Sequence, residues 1–123
     1  MDVQVFFNPA CSKCRTVRGL LEDLGLEADY LHYLEQTPSR EQLQRVMDLL
    51  RIDDPRDMMR VDEPDYRRLG LDSAEHDELL DAMMANPVLI QRPIIIHGDQ
   101  AVIGRPPEKV LELFSSSRRA TNP

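Results

Sequence analysis

The chain has 123 residues, 41% apolar and 30% charged, the make-up of one ordinary globular domain with a single core. Its 22 acidic and 15 basic residues give a net charge of −7, which argues against broad binding of nucleic acid or of an acidic membrane surface. No apolar stretch reaches the length of a membrane span, and no basic segment followed by an apolar block opens the chain, so a reducing cytoplasm is the expected compartment.

Residues 3–7 predict a central strand buried on both faces. The turn Asn8-Pro9-Ala10-Cys11 follows, and then Val17, Leu20, Leu21 and Leu24 recur at helical spacing until Gly25 supplies a stop. Residues 28–34, with Tyr30 and Tyr33, predict a second strand, which makes the segment a βαβ unit with a parallel pair.

Residues 39–86 predict an all-helical block. Ser39 with Gln42 forms a capping box ahead of Leu43, Val46, Met47 and Leu50. Asp54-Pro55 starts a short helix carrying Met58, Met59 and Arg60, and Glu63-Pro64 starts a turn closed by Gly70. Asp72 with Glu75 is read as a second capping box, opening a helix that buries Leu79, Leu80, Met83 and Met84 and stops before Asn86-Pro87. The methionines at helical spacing are taken as core fillers, and the acidic run Glu75, Asp77, Glu78 and Asp81 as a solvated face.

Beyond this block, Ile94-Ile95-Ile96 and Ala101-Val102-Ile103 flank a turn at Gly98-Asp99-Gln100, an antiparallel hairpin. Gly104-Arg105-Pro106-Pro107 leads into a last helix with Val110, Leu111 and Phe114 on one face. Residues 1–114 are expected to form one domain, and 115–123 a flexible tail. The order βαβ, helical insert, ββα is that of an α/β thioredoxin-like fold with a mixed sheet of about four strands; only this analogy suggests a cis bond at Arg92-Pro93.

Both cysteines lie in one Cys11-Ser12-Lys13-Cys14 motif at the mouth of a helix. Unpaired N–H groups and the helix dipole stabilise an anion there, so Cys11 should ionise readily and act as a nucleophile. Cys14 is one turn away, close enough to attack an adduct on Cys11 or to form a disulfide with it. A zinc half-site would need two more ligands, and His32, His76 and His97 are widely separated, so no metal is expected. Arg60, Arg92 and Arg105 fall at the ends of elements. On pattern alone each reads first as a solvated arginine; the second reading is a donor to a doubly charged oxyanion, which a guanidinium fork fits well. Arg40, Arg45, Arg51, Arg67 and Arg68 are read as surface residues.

Four stretches resemble the glutathione/glutaredoxin-linked arsenate reductase family and the redox regulators of the same fold. They are Asn8-Pro9-Ala10-Cys11-Ser12; Arg60 with Glu63-Pro64 and Leu69-Gly70-Leu71; Asn86-Pro87-Val88-Leu89-Ile90-Gln91-Arg92-Pro93-Ile94; and Gly104-Arg105-Pro106-Pro107-Glu108. The resemblance spans residues 3–114 and implies Cys11 as the nucleophile toward arsenate. It implies Arg60, Arg92 and Arg105 as catalytic and oxyanion-binding residues, with Asn8 and Ser12 also at the substrate. It further implies no bound cofactor, glutathione as thiol co-substrate, glutaredoxin or thioredoxin as reductant, no nucleic-acid or membrane partner, and a monomer. Two positions depart from the pattern: Phe7 stands where such enzymes carry a histidine that helps ionise the cysteine, and Cys14 adds a candidate resolving thiol. The alternatives are a non-enzymatic CxxC redox switch that binds a protein such as RNA polymerase, and a general thiol oxidoreductase.

Overall fold

The computed structural model describes residues 3–114. The chain divides into two compact units, one made of residues from 1–32 and 92–123, the other of residues 33–91. The predicted tail, 115–123, lies outside the described residues.

The first unit is built on a four-stranded sheet of order β2-β1-β3-β4, with β1 at Val3–Phe6, β2 at Asp29–Leu31, β3 at Ile94–His97 and β4 at Gln100–Ile103. β1 runs parallel to β2, with Val5 opposite Tyr30, and antiparallel to β3, with Val5 opposite Ile95. β3 and β4 form the expected hairpin, with His97 opposite Gln100 and a two-residue turn of Gly98-Asp99 between them. Helix α1, Ser12–Asp23, is the crossover between β1 and β2. This is the thioredoxin-like arrangement. Val5, Cys14, Val17, Leu21, Ile95 and Val110 are all fully buried in its core.

Several expectations are corrected. β1 ends at Phe6, although the Phe7 N–H still donates to the Leu31 carbonyl at 2.8 Å. It is not buried on both faces, because Gln4 is exposed. β2 spans three residues, not seven, and Tyr33 is buried in the other unit. Leu24 caps α1 and is exposed, while Cys14, Val17 and Leu21 supply the buried stripe. Gly25, at φ 72°, does end that helix in the left-handed region that glycine tolerates best. The last element is a 3-10 helix, Pro107–Leu111. Val110 and, beyond it, Leu113 are buried, while Leu111 and Phe114 are partly buried against the same core. Phe114 stacks on His97 with ring centroids 4.8 Å apart.

The second unit holds helices α2 (Arg40–Leu50), α3 (Pro64–Arg68) and α4 (His76–Ala85), with 3-10 turns at Pro55–Met58, Leu71–Ser73 and Pro87–Leu89. The Ser39–Gln42 capping box forms: the Gln42 N–H donates to Ser39 Oγ at 3.1 Å and the Ser39 N–H to Gln42 Oε1 at 2.8 Å. Asp72 is no cap, since it lies within a 3-10 turn; α4 begins after Glu75, whose N–H donates to Glu78 at 3.0 Å. The turn after Asp54 stops at Met58, so Met59 is extended, forms a bridge with Ile90, and Arg60 follows it. Met47, Met58, Met59 and Met83 are buried, while Met84 is half-buried. Asp77 and Asp81 are not merely solvated, because Arg40 pairs with both and ties α2 to α4.

Arg56 organises the middle of this unit. Its Nε donates to the Tyr66 hydroxyl at 2.9 Å, and its Nη2 to the carbonyls of Leu71, Asp72 and Ala74 at 2.7, 3.1 and 2.8 Å. Three carbonyls from one irregular segment are thus satisfied by a single guanidinium.

Candidate active site

Cys11 is the N-cap of α1, with extended φ and ψ of −91° and 124°. The loop before it is set by Asn8. The Asn8 carbonyl accepts the Cys11 N–H at 2.9 Å, and its Oδ1 accepts the Ala10 N–H at 3.0 Å, an Asx turn. Arg15 closes the turn from the helix side, donating to the Pro9 carbonyl at 2.9 Å. The chain therefore enters the helix with the Cys11 sulfur at the end where backbone N–H groups lack intrahelical partners.

The Cys11 thiol is held below its ordinary value. Partial burial pushes it up, but the Cys14 N–H, the Cys14 thiol, the Lys13 N–H and the charge of Arg92 together outweigh that. Cys14 behaves oppositely: burial, opposed by the Asn8 N–H, and then the neighbouring Cys11 charge push it up to about 11. The two thiols are thus driven apart, with Cys11 the more readily ionised and Cys14 the proton-bearing donor beside it. Both are free; Cys11 is half-buried and Cys14 fully buried.

Arg92 precedes β3, and the Arg92-Pro93 and Arg105-Pro106 bonds are both cis. Arg105 Nη1 donates to the Arg92 carbonyl at 3.0 Å, and the Gly104 N–H to the Pro93 carbonyl at 2.8 Å. Gly104 is needed for lack of space: a Cβ there would meet Pro93 Cγ at 3.0 Å, Ile95 Cδ1 at 3.1 Å and Val17 Cγ2 at 3.1 Å. The start of β3, the end of β4 and α1 are therefore packed closely enough to fix where the two arginines begin.

Of the residues expected from the sequence, Asn8, Cys11, Ser12, Cys14, Arg92 and Arg105 all belong to the first unit. Ser12 opens α1, exposed, with its carbonyl taking the Thr16 hydroxyl at 3.0 Å. Arg60 belongs to the second unit, where it pairs with Glu63 at 3.1 Å and its N–H donates to the Leu89 carbonyl at 2.7 Å. Phe7 is buried, its ring edge-on to Tyr30 and His32 at 5.0 and 5.8 Å, with the Arg18 guanidinium 5.8 Å from its centroid. Sequence reasoning missed Arg15 and Arg56; Arg56 reaches carbonyls fifteen to eighteen residues away, and the i−6 reach of Arg15 to a pre-helix carbonyl carries no familiar spacing. Among the described residues no group of three His, Cys, Asp or Glu gathers as a metal would require, and no helix is long and apolar enough to cross a membrane.

The motif order and this geometry agree with comparison to known proteins. The sequence model of the ArsC family matches residues 6–113. The chain belongs to the ArsC family. This ArsC-family chain is 44% identical over 116 residues to the arsenate reductase of Haemophilus influenzae, covering 93% of this chain and 100% of that one. It is 37% identical over 111 residues to an arsenate reductase of Neisseria meningitidis, covering 89% and 95%. The solved arsenate reductase of Vibrio cholerae superimposes with a TM-score of 0.88 at 43% identity, covering 91% of this ArsC-family chain and 97% of that one.

Proposed function

We propose that the protein reduces arsenate to arsenite with thiols, through a covalent bond between Cys11 and arsenic. The observation that carries this reading is a cysteine at a helix N-cap whose thiol is lowered by N–H groups, a neighbouring thiol and Arg92, in a chain similar to proteins named arsenate reductase. The Cys11 thiolate attacks arsenic, an As–O bond breaks, and the oxygen leaves as water after taking up protons. A second thiolate then attacks the Cys11 sulfur. The S–As bond breaks with its electron pair left on arsenic, which becomes As(III), and the two sulfurs are left as a disulfide. Arg92 and Arg105, with Arg60 from the family resemblance, offset the oxyanion's charge in both steps.

Cys14 is the resolving thiol in this reading. The Cys11 charge and its hydrogen bond help keep Cys14 protonated, and formation of the S–As bond removes that charge. Cys14 therefore becomes a better nucleophile once Cys11 is occupied, with burial still holding its thiol up. Glutaredoxin with glutathione, or thioredoxin, then returns the pair to the dithiol.

Arsenate-dependent NADPH oxidation, coupled separately to glutathione/glutaredoxin and to thioredoxin, tests both parts with wild type and Cys14→Ser. The expected result is turnover that falls at least tenfold in Cys14→Ser. Turnover that survives the substitution with glutathione/glutaredoxin leaves Cys11 as nucleophile but removes Cys14 as resolving thiol. No turnover in either system contradicts the enzyme and favours a Cys11–Cys14 redox switch acting on a protein partner.

A further inference from the structure

The cysteine turn and the start of β3 satisfy several of their carbonyl oxygens internally. Asn8 O takes the Cys11 N–H, Asn8 Oδ1 takes the Ala10 N–H, Pro9 O takes Arg15 Nη1, and Arg92 O takes Arg105 Nη1. The groups that act on the Cys11 sulfur are donors or positive: the N–H groups of Lys13 and Cys14, the Cys14 thiol and the Arg92 guanidinium. A tetrahedral oxyanion brings acceptors and suits such a rim. A peptide-like thiol or disulfide also brings amide N–H groups, and each one left without an acceptor on approach costs a desolvation penalty.

Resting on the oxyanion reading of this same site, we propose that Arg15 sets the class of ligand Cys11 accepts: by taking one of the two acceptor positions of the Pro9 carbonyl it leaves less acceptor capacity for a peptide disulfide, and so it favours oxyanions over disulfide exchange with glutathione disulfide. Arg15 is a positioning residue in this role, acting through Pro9. A thiol that attacks arsenic or the Cys11 adduct from outside makes no demand on the Pro9 carbonyl, so the rim remains compatible with glutathione as reductant. Arg105 has the equivalent place on the Arg92 carbonyl, but its assignment to the oxyanion makes it a poor probe. Arg15 is exposed and bonds only to the turn, so it can be changed without touching the core.

Two exchange reactions at Cys11 separate the effect from general reactivity. In the first, the Cys11 thiolate attacks one sulfur of glutathione disulfide, the S–S bond breaks, and glutathione thiolate leaves. In the second it attacks methyl methanethiosulfonate, which has no hydrogen-bond donor, and methanesulfinate leaves. The readout is the ratio of the first rate constant to the second, followed as the initial loss of free Cys11 in wild type, Arg15→Met and Arg15→Lys. The expected result is a ratio raised about tenfold in Arg15→Met and close to wild type in Arg15→Lys, whose ammonium can still donate to Pro9. Because glutathione disulfide is anionic, loss of the Arg15 charge alone lowers the ratio, so electrostatics cannot mimic the rise. A ratio unchanged or lowered in Arg15→Met, or raised equally in Arg15→Lys, overturns the proposal. Neither reaction uses arsenate, so absence of arsenate turnover in wild type contradicts the enzymatic reading, while the ratio of exchange rates still decides the role of Arg15.

Discussion

Cys11 draws its reactivity from four neighbouring groups, and Cys14 supplies two of them: its N–H and its thiol both stabilise the Cys11 thiolate. That division gives a sharp prediction for the pH dependence of Cys11 reaction with methyl methanethiosulfonate. A thiol with a lowered value carries more thiolate at neutral pH, so any change that removes a stabilising group moves the rate profile to higher pH. Cys14→Ala keeps the backbone N–H but loses the thiol donor, and its profile should shift upward. Cys14→Ser keeps a donor and should stay near wild type, and Arg92→Gln should shift upward through loss of charge. Profiles unchanged in both Cys14→Ala and Arg92→Gln would leave the helix end as the only source of activation. This scale was partly legible in the sequence. A CxxC after a strand and before an amphipathic helix announces a reactive thiol from local spacing alone. The roles proposed for Arg92 and Arg105 were not legible that way: on pattern each looked solvated, and only the family resemblance singled them out. Arg15 and Arg56 escaped notice because most of their partners are main-chain carbonyls, which no residue pattern advertises.

Each of the two units depends on a contact that a sequence pattern cannot weigh. Gly104 allows β4 to leave the sheet within van der Waals reach of Pro93, Ile95 and α1. Gly104→Ala sets a methyl 3.0–3.1 Å from a proline ring carbon and from the ends of two fully buried side chains, Ile95 and Val17, and should lower stability by about 1–3 kcal/mol. It should also weaken Cys11 activation by displacing the segment that carries Arg92. A thermal melt together with the Cys11 pH profile checks both effects; an unchanged melt and profile would show that the close packing has slack. Arg56→Met leaves three carbonyls and the Tyr66 hydroxyl short of a donor, for a cost of about 2–3 kcal/mol seen as a lower urea midpoint. The strong periodic elements were readable in advance: α1, α2 with its Ser39–Gln42 box, and the β3–β4 hairpin. The misreadings cluster where the backbone tightens into 3-10 turns. Asp72 has the chemistry of a cap but lies inside such a turn, so Glu75 takes the start of α4. The 3-10 helix after Pro107 likewise leaves Leu111 only partly buried, while Leu113 beyond it is buried.

For the whole molecule, a βαβ start, a helical middle and a ββα end were enough to predict a thioredoxin-like sheet, and the ArsC-family match over residues 6–113 agrees with it. Strand order was not derivable from periodicity, since alternation states which residues face inward but not which strand lies beside which. The segment between the sheet's two halves forms a unit of its own, residues 33–91, and Arg60 belongs to it. A net charge of −7 gives an anionic substrate no general attraction, so in the proposed mechanism oxyanion recognition would rest on local guanidinium and N–H donors. The most direct test of the covalent mechanism is arsenate-dependent NADPH oxidation in wild type and Cys11→Ser, each with a thermal melt to show that the fold is kept. Turnover in wild type that disappears in a folded Cys11→Ser is the predicted result. Arsenate turnover that persists in Cys11→Ser would contradict the covalent cysteine–arsenic step on which the mechanism stands.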